Sequence, residues 1–170
     1  MQPILETPRL YLRQFQIEDA TAFYNLNLDP EVIRYTGDPP FESVAQAQDF
    51  LKNYSAYADY GYGRWAVCLK SNREFIGFCG LKYHPAEQIT ELGFRFFKAN
   101  WNQGFATESG KGCLNYGFES LKLDNIYAHA HIENTGSDRV LQKLGFTRLK
   151  RITYDSNPAY LYSIAAQDYE

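Results

Sequence analysis

At 170 residues with 45% apolar side chains, the chain has material for one core and too little for two, so a single domain over residues 1–170 is expected. A net charge of −3 and the lack of any Lys/Arg run exclude the electrostatic footprint of a nucleic-acid binder. No apolar run nears the roughly 20 residues of a membrane span, "MQPILETPRL" has no apolar stretch ahead of a cleavage site, and Cys68, Cys79 and Cys113 form no C-x-x-C pair, so a soluble, cytoplasmic protein with reduced, packed thiols is expected.

In chain order, "RLYLRQF" alternates Leu10 and Leu12 against Tyr11 and Arg13, the period of a strand, and "IEDATAFYNLNL" then carries Ala22, Phe23 and Leu26 at helical spacing. Pro30 starts a short turn, and "TGDPPF" from Thr36 is too rich in Gly and Pro for regular structure. Ser43 with Gln46 has the spacing of a capping box and begins a second helix running toward Asp59. "RWAVCL" and "EFIGFCGLKY" flank the polar turn "KSNR" as an antiparallel hairpin, and a further strand, "ITELGFRFF", follows Pro85. Phe105, Ala106, Cys113, Leu114, Gly117, Phe118 and Leu121 then keep helical spacing. "NIYAHAHI" alternates again, "SDRVLQKLGF" is a short helix closed by Gly145, and strands around "TRLKRITY" and "AYLYSI" follow. The order β-α-α-β-β-β-α-β-α-β-β specifies a mixed α/β (α+β) domain, its sheet partly antiparallel and flanked by helices.

The stretch "NWNQGFATESGKG" places a Gly turn between a strand and a long helix. A strand ending near Phe97 and a helix after Gly104 bring unpaired backbone N–H groups and the positive end of the helix dipole to one spot, where an anion binds. The simpler alternative is that Gly104 only lets the loop turn tightly. A nucleotide phosphate loop is excluded on spelling, because Gly110-Lys111 is followed by Gly112 inside the helix, and no G-x-G-x-x-G is present.

Two stretches carry a family resemblance. "ELGFRFFKANWNQGFATE" followed by "NIYAHAHIENTGSDRVLQKLGF" resembles the acetyl-CoA-binding core of the GNAT N-acetyltransferase superfamily. The spelling W-x-x-G-x-A-T-E and N-x-x-S-x-x-V-L-x-K-L-G-F is most similar to the RimJ/RimL-like branch, and with the opening "ETPRLYLRQFQIEDA" the likeness spans nearly the whole chain. The resemblance implies an acetyl-CoA-dependent N-acetyltransferase, monomeric or homodimeric, that acts by direct transfer. Its acceptor is a small amine or a protein N-terminus. The alternative is a degenerate domain that binds coenzyme A as a sensor or interaction module.

By the same resemblance, the backbone amides from Asn102 through Gln103, Gly104, Phe105, Ala106 and Thr107 cradle the pyrophosphate. Trp101 stands where the wider family has Arg or Gln, which leaves that task to amides more than to a cation. The strand edge at Phe94, Arg95 and Phe96 takes the pantetheine arm as an added strand, with Gly93 marking a bulge that splays this strand from "NIYAHAHI". Asn134 holds the cofactor arm and also suits a helix cap. Glu91, on the face of Gly93, is the expected catalytic carboxylate, either taking the amine's proton directly or ordering a relay water; its alternative is a solvated strand residue. Ser137 is the second catalytic candidate. Many members carry a Tyr where this chain has Leu141, so the group that protonates the leaving thiolate is left open.

His129 and His131 share a strand face with Tyr127, a spacing that suggests metal ligands, but no third ligand matches, so no metal is expected and the pair is placed on the acceptor side. His84, before Pro85, is a further base candidate without an evident orienting partner. Tyr54, Tyr57, Tyr60, Tyr62 and Trp65, beside "TGDPPF", are expected either to wall the acceptor pocket or, for Tyr54 and Tyr57, to pack as helix-face aromatics. Glu91 and Asp38 near the groove favour a cationic amine.

Overall fold

A computed structural model describes residues 2–170. Its eight strands are β1 (Leu5–Glu6), β2 (Leu10–Arg13), β3 (Arg64–Leu69), β4 (Phe75–His84), β5 (Ile89–Phe96), β6 (Asn125–His131), β7 (Thr147–Tyr154) and β8 (Asn157–Ala165). They form one sheet in the order β1-β2-β3-β4-β5-β6-β8-β7. Every neighbouring pair is antiparallel except β5–β6. The helices are α1 (Ala20–Leu26), α2 (Pro30–Ile33), α3 (Val44–Lys52), α4 (Ala56–Tyr60), α5 (Phe105–Asn115) and α6 (Thr135–Lys143). No helix of the described residues is long and apolar enough to cross a membrane.

The expected elements are all present, with refinements. Pro30, expected to start a turn, occupies the first position of α2, and Asp29 caps that helix by accepting from Glu31 N–H at 2.9 Å. Ser43 Oγ caps α3 by accepting from Gln46 N–H at 3.1 Å, but Gln46 Oε1 reaches back to Glu42 N–H at 2.6 Å, one residue before the usual box. The helix expected to run to Asp59 is interrupted after Lys52 and resumes as α4. The long helix after Gly104 is α-helical to Asn115 and passes into a π-helical turn, Tyr116–Ser120.

Alternation along β4 separates two cores. Cys79 and Leu81 face α5, and Cys79 Sγ lies 3.6 Å from Cys113 Sγ; both thiols are buried and unbridged. This main core joins Leu10, Trp65, Ile76, Leu92, Leu114, Ile126, Leu141 and Tyr162. Phe78 points the other way, toward Phe23 of α1 and the smaller cluster of Ala20, Ala47 and Leu51. Each fully buried Leu or Ile contributes about 1.5–3 kcal/mol, so both sheet faces need their helices.

Gly93 is not a bulge. The β4–β5 register runs unbroken from Gly77↔Phe96 to His84↔Ile89, and the irregularities lie between Val67 and Cys68 and between Arg148 and Lys150. The strands part nonetheless: among the described residues β5 and β6 share one register pair, Glu91↔Tyr127. Beyond that rung they diverge, and the fork opens a groove through the sheet.

Candidate active site

The fork leads into a cavity of about 1080 Å³. Its walls are β5 from Glu91 to Phe96, β6 from Ala128 to His131, the starts of α5 and α6, the α2 region and the loop from Thr36 to Phe41. A strand edge left without a neighbour presents N–H and C=O groups that need partners, so β5 past Glu91 is primed to pair with an extended, amide-bearing ligand arm.

At one end lies the turn before α5. Trp101 Nε1–H donates to Phe96 O at 2.9 Å and Gln103 Nε2 donates to Ala99 O at 2.9 Å, fixing the turn to the end of β5. That bond occupies one lone pair of the Phe96 carbonyl, leaving the edge at Phe94 and Arg95 the more open part. Gly104 caps α5 in the left-handed region at φ 82°, where glycine is favoured, and offers no side-chain hydrogen bond. The first helical bond is Glu108 N–H to Gly104 O at 2.9 Å. The amides of Phe105, Ala106 and Thr107 therefore precede any intrahelical acceptor and point outward with the positive dipole end.

A cation stands beside this cradle that sequence reasoning missed. Arg9, in the turn between β1 and β2, stacks its guanidinium 4.4 Å from the Phe105 ring centroid, and its Nη2 would lie 3.3 Å from a Cβ at Gly104. Glu108 pins it: Arg9 Nε donates to Oε2 at 2.7 Å, while Arg9 N–H and Thr7 Oγ1 donate to Oε1 at 2.8 and 2.6 Å. Burial raises the Glu108 carboxyl, but those bonds outweigh it and hold the group below its ordinary value. Where Trp101 offers no cation, Arg9 thus brings one beside the turn.

At the fork itself sits Glu91, only 6% exposed. The alternative of a solvated strand carboxylate does not hold. Arg64 Nη2 donates to Oε1 at 2.7 Å, and His129 Nδ1 lies 2.8 Å from Oε2. His84 Nε2 is 3.2 Å from the same oxygen, at ion-pair distance but off the hydrogen-bond axis, so this buried nitrogen has no hydrogen-bond partner. His84 closes β4, not a loop, and it faces Glu91. Burial pushes the Glu91 carboxyl up, yet the His129 bond, the adjacent His84 and the Arg64 guanidinium prevail and hold it well below the carboxylate range. Both imidazoles address the carboxylate oxygen itself, and among the described residues no group of three or more His, Cys, Asp or Glu could hold a metal.

Arg64 is held just as tightly. Its Nη1 donates to Gly80 O at 2.7 Å and to Glu91 O at 2.9 Å. Tyr54 Oη accepts from Arg64 N–H at 2.8 Å, and Tyr57 Oη–H donates to Arg64 O. These two tyrosines brace the site from behind, and of the pair only Tyr54 also lines the cavity. Gly93 leaves the space: a Cβ there would lie 2.5 Å from Arg64 Cζ.

The remaining candidates line the same cavity. Asn134 caps α6, its Oδ1 accepting from Ser137 N–H at 3.1 Å, and no described residue takes its Nδ2 protons. Ser137 lines the groove from the first turn of α6, and no hydrogen bond joins it to Glu91. Leu141 is packed into the core at 1% exposure. The Arg95 side chain turns to the acceptor side, where it donates to Asn27 Oδ1 and, at 2.8 Å, to Asp38 Oδ2, so the Asp38 charge is matched. His131 stacks near Tyr35 at 5.0 Å, and His129 lies face to face with Tyr154 at 3.6 Å. Burial, then the Glu91 charge, pushes the Tyr154 hydroxyl up to about 12.

Comparison with known proteins gives the family and the fold. The family model described as "Acetyltransferase (GNAT) domain" matches residues 9–147. The chain is 34% identical to the uncharacterized N-acetyltransferase YoaA of Bacillus subtilis (strain 168), over 96% of this chain and 97% of that protein. It is 35% identical to the uncharacterized N-acetyltransferase p20 of Bacillus licheniformis, over 85% and 82% respectively. The crystal structure of a GNAT-family acetyltransferase from Bacillus anthracis has the same fold, with a TM-score of 0.83 at 26% identity over 96% of this chain and 98% of that one.

Proposed function

The chain belongs to the acetyltransferase (GNAT) family, and from that premise we propose that it transfers acetyl from acetyl-CoA to a primary amine, a peptide α-amino group or a small amine, in the manner of the RimJ/RimL-like branch. The protein is an N-acyltransferase with acetyl-CoA as donor. The bound thioester supplies an electrophilic carbonyl and a thiolate leaving group. One observation carries the reading: the single Glu91↔Tyr127 rung of β5–β6 opens a groove with a buried, hydrogen-bonded carboxylate at its vertex and uncapped helix amides at its other end.

In this reading the amides of Asn102, Gln103, Gly104, Phe105, Ala106 and Thr107 receive the pyrophosphate, and Arg9 adds a positive charge beside them. Phe94, Arg95 and Phe96 offer the strand edge to the pantetheine amides, and Asn134 donates from Nδ2. Glu91 belongs to the proton relay at the amine, and Ser137, which lines the groove, is assigned as donor to the departing thiolate, since position 141 is an aliphatic core residue. The RimJ/RimL-like spelling from Trp101 to Glu108 and from Asn134 to Phe146 supports the branch. We place the enzyme in the cytoplasm, as a monomer or homodimer; the buried, unbridged thiols of Cys68, Cys79 and Cys113 suit a reducing compartment.

Mass spectrometry of a mixed amine library incubated with the protein and acetyl-CoA tests the reading. An acetylated amine with stoichiometric release of coenzyme A is expected. Tight binding of acetyl-CoA with no thiol release from any amine would make the chain a coenzyme-A-binding module instead.

A further inference from the structure

Glu91 cannot easily be the atom that meets the amine. It is 6% exposed, Oε1 is taken by Arg64, and Oε2 is flanked by both His129 and His84. His129 is placed differently. Its Nδ1 addresses Glu91 at 2.8 Å, its side chain is 23% exposed in the groove, and no described residue bonds its Nε2. A carboxylate accepts only from a protonated nitrogen, so the Glu91 bond places the neutral ring's proton on Nδ1 and leaves Nε2 as an acceptor. The Tyr154 ring, 3.6 Å away and within 25° of parallel, fixes the plane in which that lone pair points.

We propose that His129 Nε2 is the proton acceptor for the incoming amine, with Glu91 as the positioning residue that holds its tautomer and Arg64 as the anchor of Glu91. The inference rests on the acetyl-transfer reading above. His129 Nε2 removes one proton from the bound ammonium and frees the nitrogen lone pair. The C–N bond forms at the thioester carbonyl, the C–S bond breaks, and the nitrogen's surplus proton ends on the departing sulfur. The imidazolium then returns its proton to solvent. The imidazole suits this task because its Nε2 lone pair is free in the groove, whereas both Glu91 oxygens are already engaged. The groups facing His129 are Glu91 of β5, with Arg64 of β3 and His84 of β4 behind it, and Tyr154 of β7. Leu161 of β8, its register partner, is apolar, and Tyr127 and His131 share its own strand face.

The test compares the native protein with His129→Gln and Glu91→Gln, reading thiol release with spermidine and, separately, with a peptide amide beginning in serine. Acetyl-CoA affinity by calorimetry accompanies each rate. In His129→Gln, kcat should fall by roughly 10²-fold or more, the acidic limb of the pH–rate profile should vanish, and acetyl-CoA affinity should stay near native. In Glu91→Gln the limb should persist, because the imidazole remains, while kcat falls as the tautomer is no longer held. A His129→Gln variant with native kcat and limb, or a limb abolished only by Glu91→Gln, would overturn the proposal while leaving acetyl transfer intact. Native protein that binds acetyl-CoA but acetylates no amine would sink the transfer reading instead. Independently of any acceptor, nitrogen-15 spectra should show the Nδ1–H tautomer for His129, and an Nε2–H tautomer would refute the assignment.

Discussion

Gly93 and Arg64 are complementary across two strands of the sheet: a Cβ at position 93 would lie 2.5 Å from Arg64 Cζ, so the absence of a side chain on β5 is what lets the guanidinium reach Glu91. The glycine serves a contact and not a bulge, and its effect on the site runs through Arg64 to the carboxylate and on to His129.

Gly93→Ala should therefore push the guanidinium off Glu91. Removing one partner of a buried ion pair outright destabilises by about 3–5 kcal/mol; here the guanidinium is displaced and His129 still bonds Glu91, so that figure is the upper bound. Urea denaturation should show a loss below it, with kcat reduced in the variant that remains folded. An unchanged midpoint would mean that Arg64 rearranges freely and that the pair is not a structural requirement.

The low Glu91 carboxyl sets a sign for acid stability. A carboxyl lower in the folded than in the unfolded state contributes stability that is fully present above the unfolded value, about 4.3, and is lost as pH falls through the folded value. Native protein should lose stability steeply on acidification below about pH 4.3. Glu91→Gln, less stable at neutral pH, should show a flatter curve there. Parallel curves for the two proteins would remove Glu91 from the linkage.

At the cradle, the left-handed backbone of Gly104 makes the choice of substitution informative. Gly104→Val combines a strained φ with a blocked cradle and should lose both stability and acetyl-CoA binding. Gly104→Asn tolerates the same φ and should fold nearly as well as native while its side chain still crowds the phosphates. Calorimetry should find at least a roughly tenfold weaker affinity in both. Native affinity in Gly104→Asn would remove the cradle assignment.

Arg9 is half exposed, so its pair with Glu108 should matter little to stability, within about 1 kcal/mol. Its value should lie in charge beside the phosphates. Arg9→Gln is expected to weaken coenzyme A binding several-fold at low ionic strength, with the difference shrinking as salt screens the interaction. Titrations at two salt concentrations check this, and equal affinities at low salt would restrict Arg9 to packing on Phe105.

For the acceptor, an α-amino group with a reference value near 8 is neutral at pH 7 far more often than a lysine side chain near 10.4. Preference for the α-amine is expected when a peptide bearing both competes in one reaction. Fragmentation mass spectrometry locates the acetyl group, and modification confined to the lysine would overturn the preference. Because Arg64 and Arg95 neutralise Glu91 and Asp38, this expectation rests on amine basicity more than on local charge.

What the chain declares along its own length is local. The period of two in "RWAVCL" and "NIYAHAHI", the capping spacing of Ser43 and Gln46, and the Gly turn before a helical run each follow from neighbours a few residues apart, and together they specify the fold class and mark the turn before α5 as a candidate anion site. The contacts that assemble the candidate site join distant positions: Arg9 to Glu108, Arg64 to Glu91 and Gly93, Glu91 to His129. These depend on strand register, where a slip of one residue would turn Glu91 to the opposite face and His129 away from it. No periodicity encodes that register. Packing of the two cores against the sheet selects it, which is why a glycine that read as a bulge and a histidine that read as a groove liner found their partners only in the folded chain.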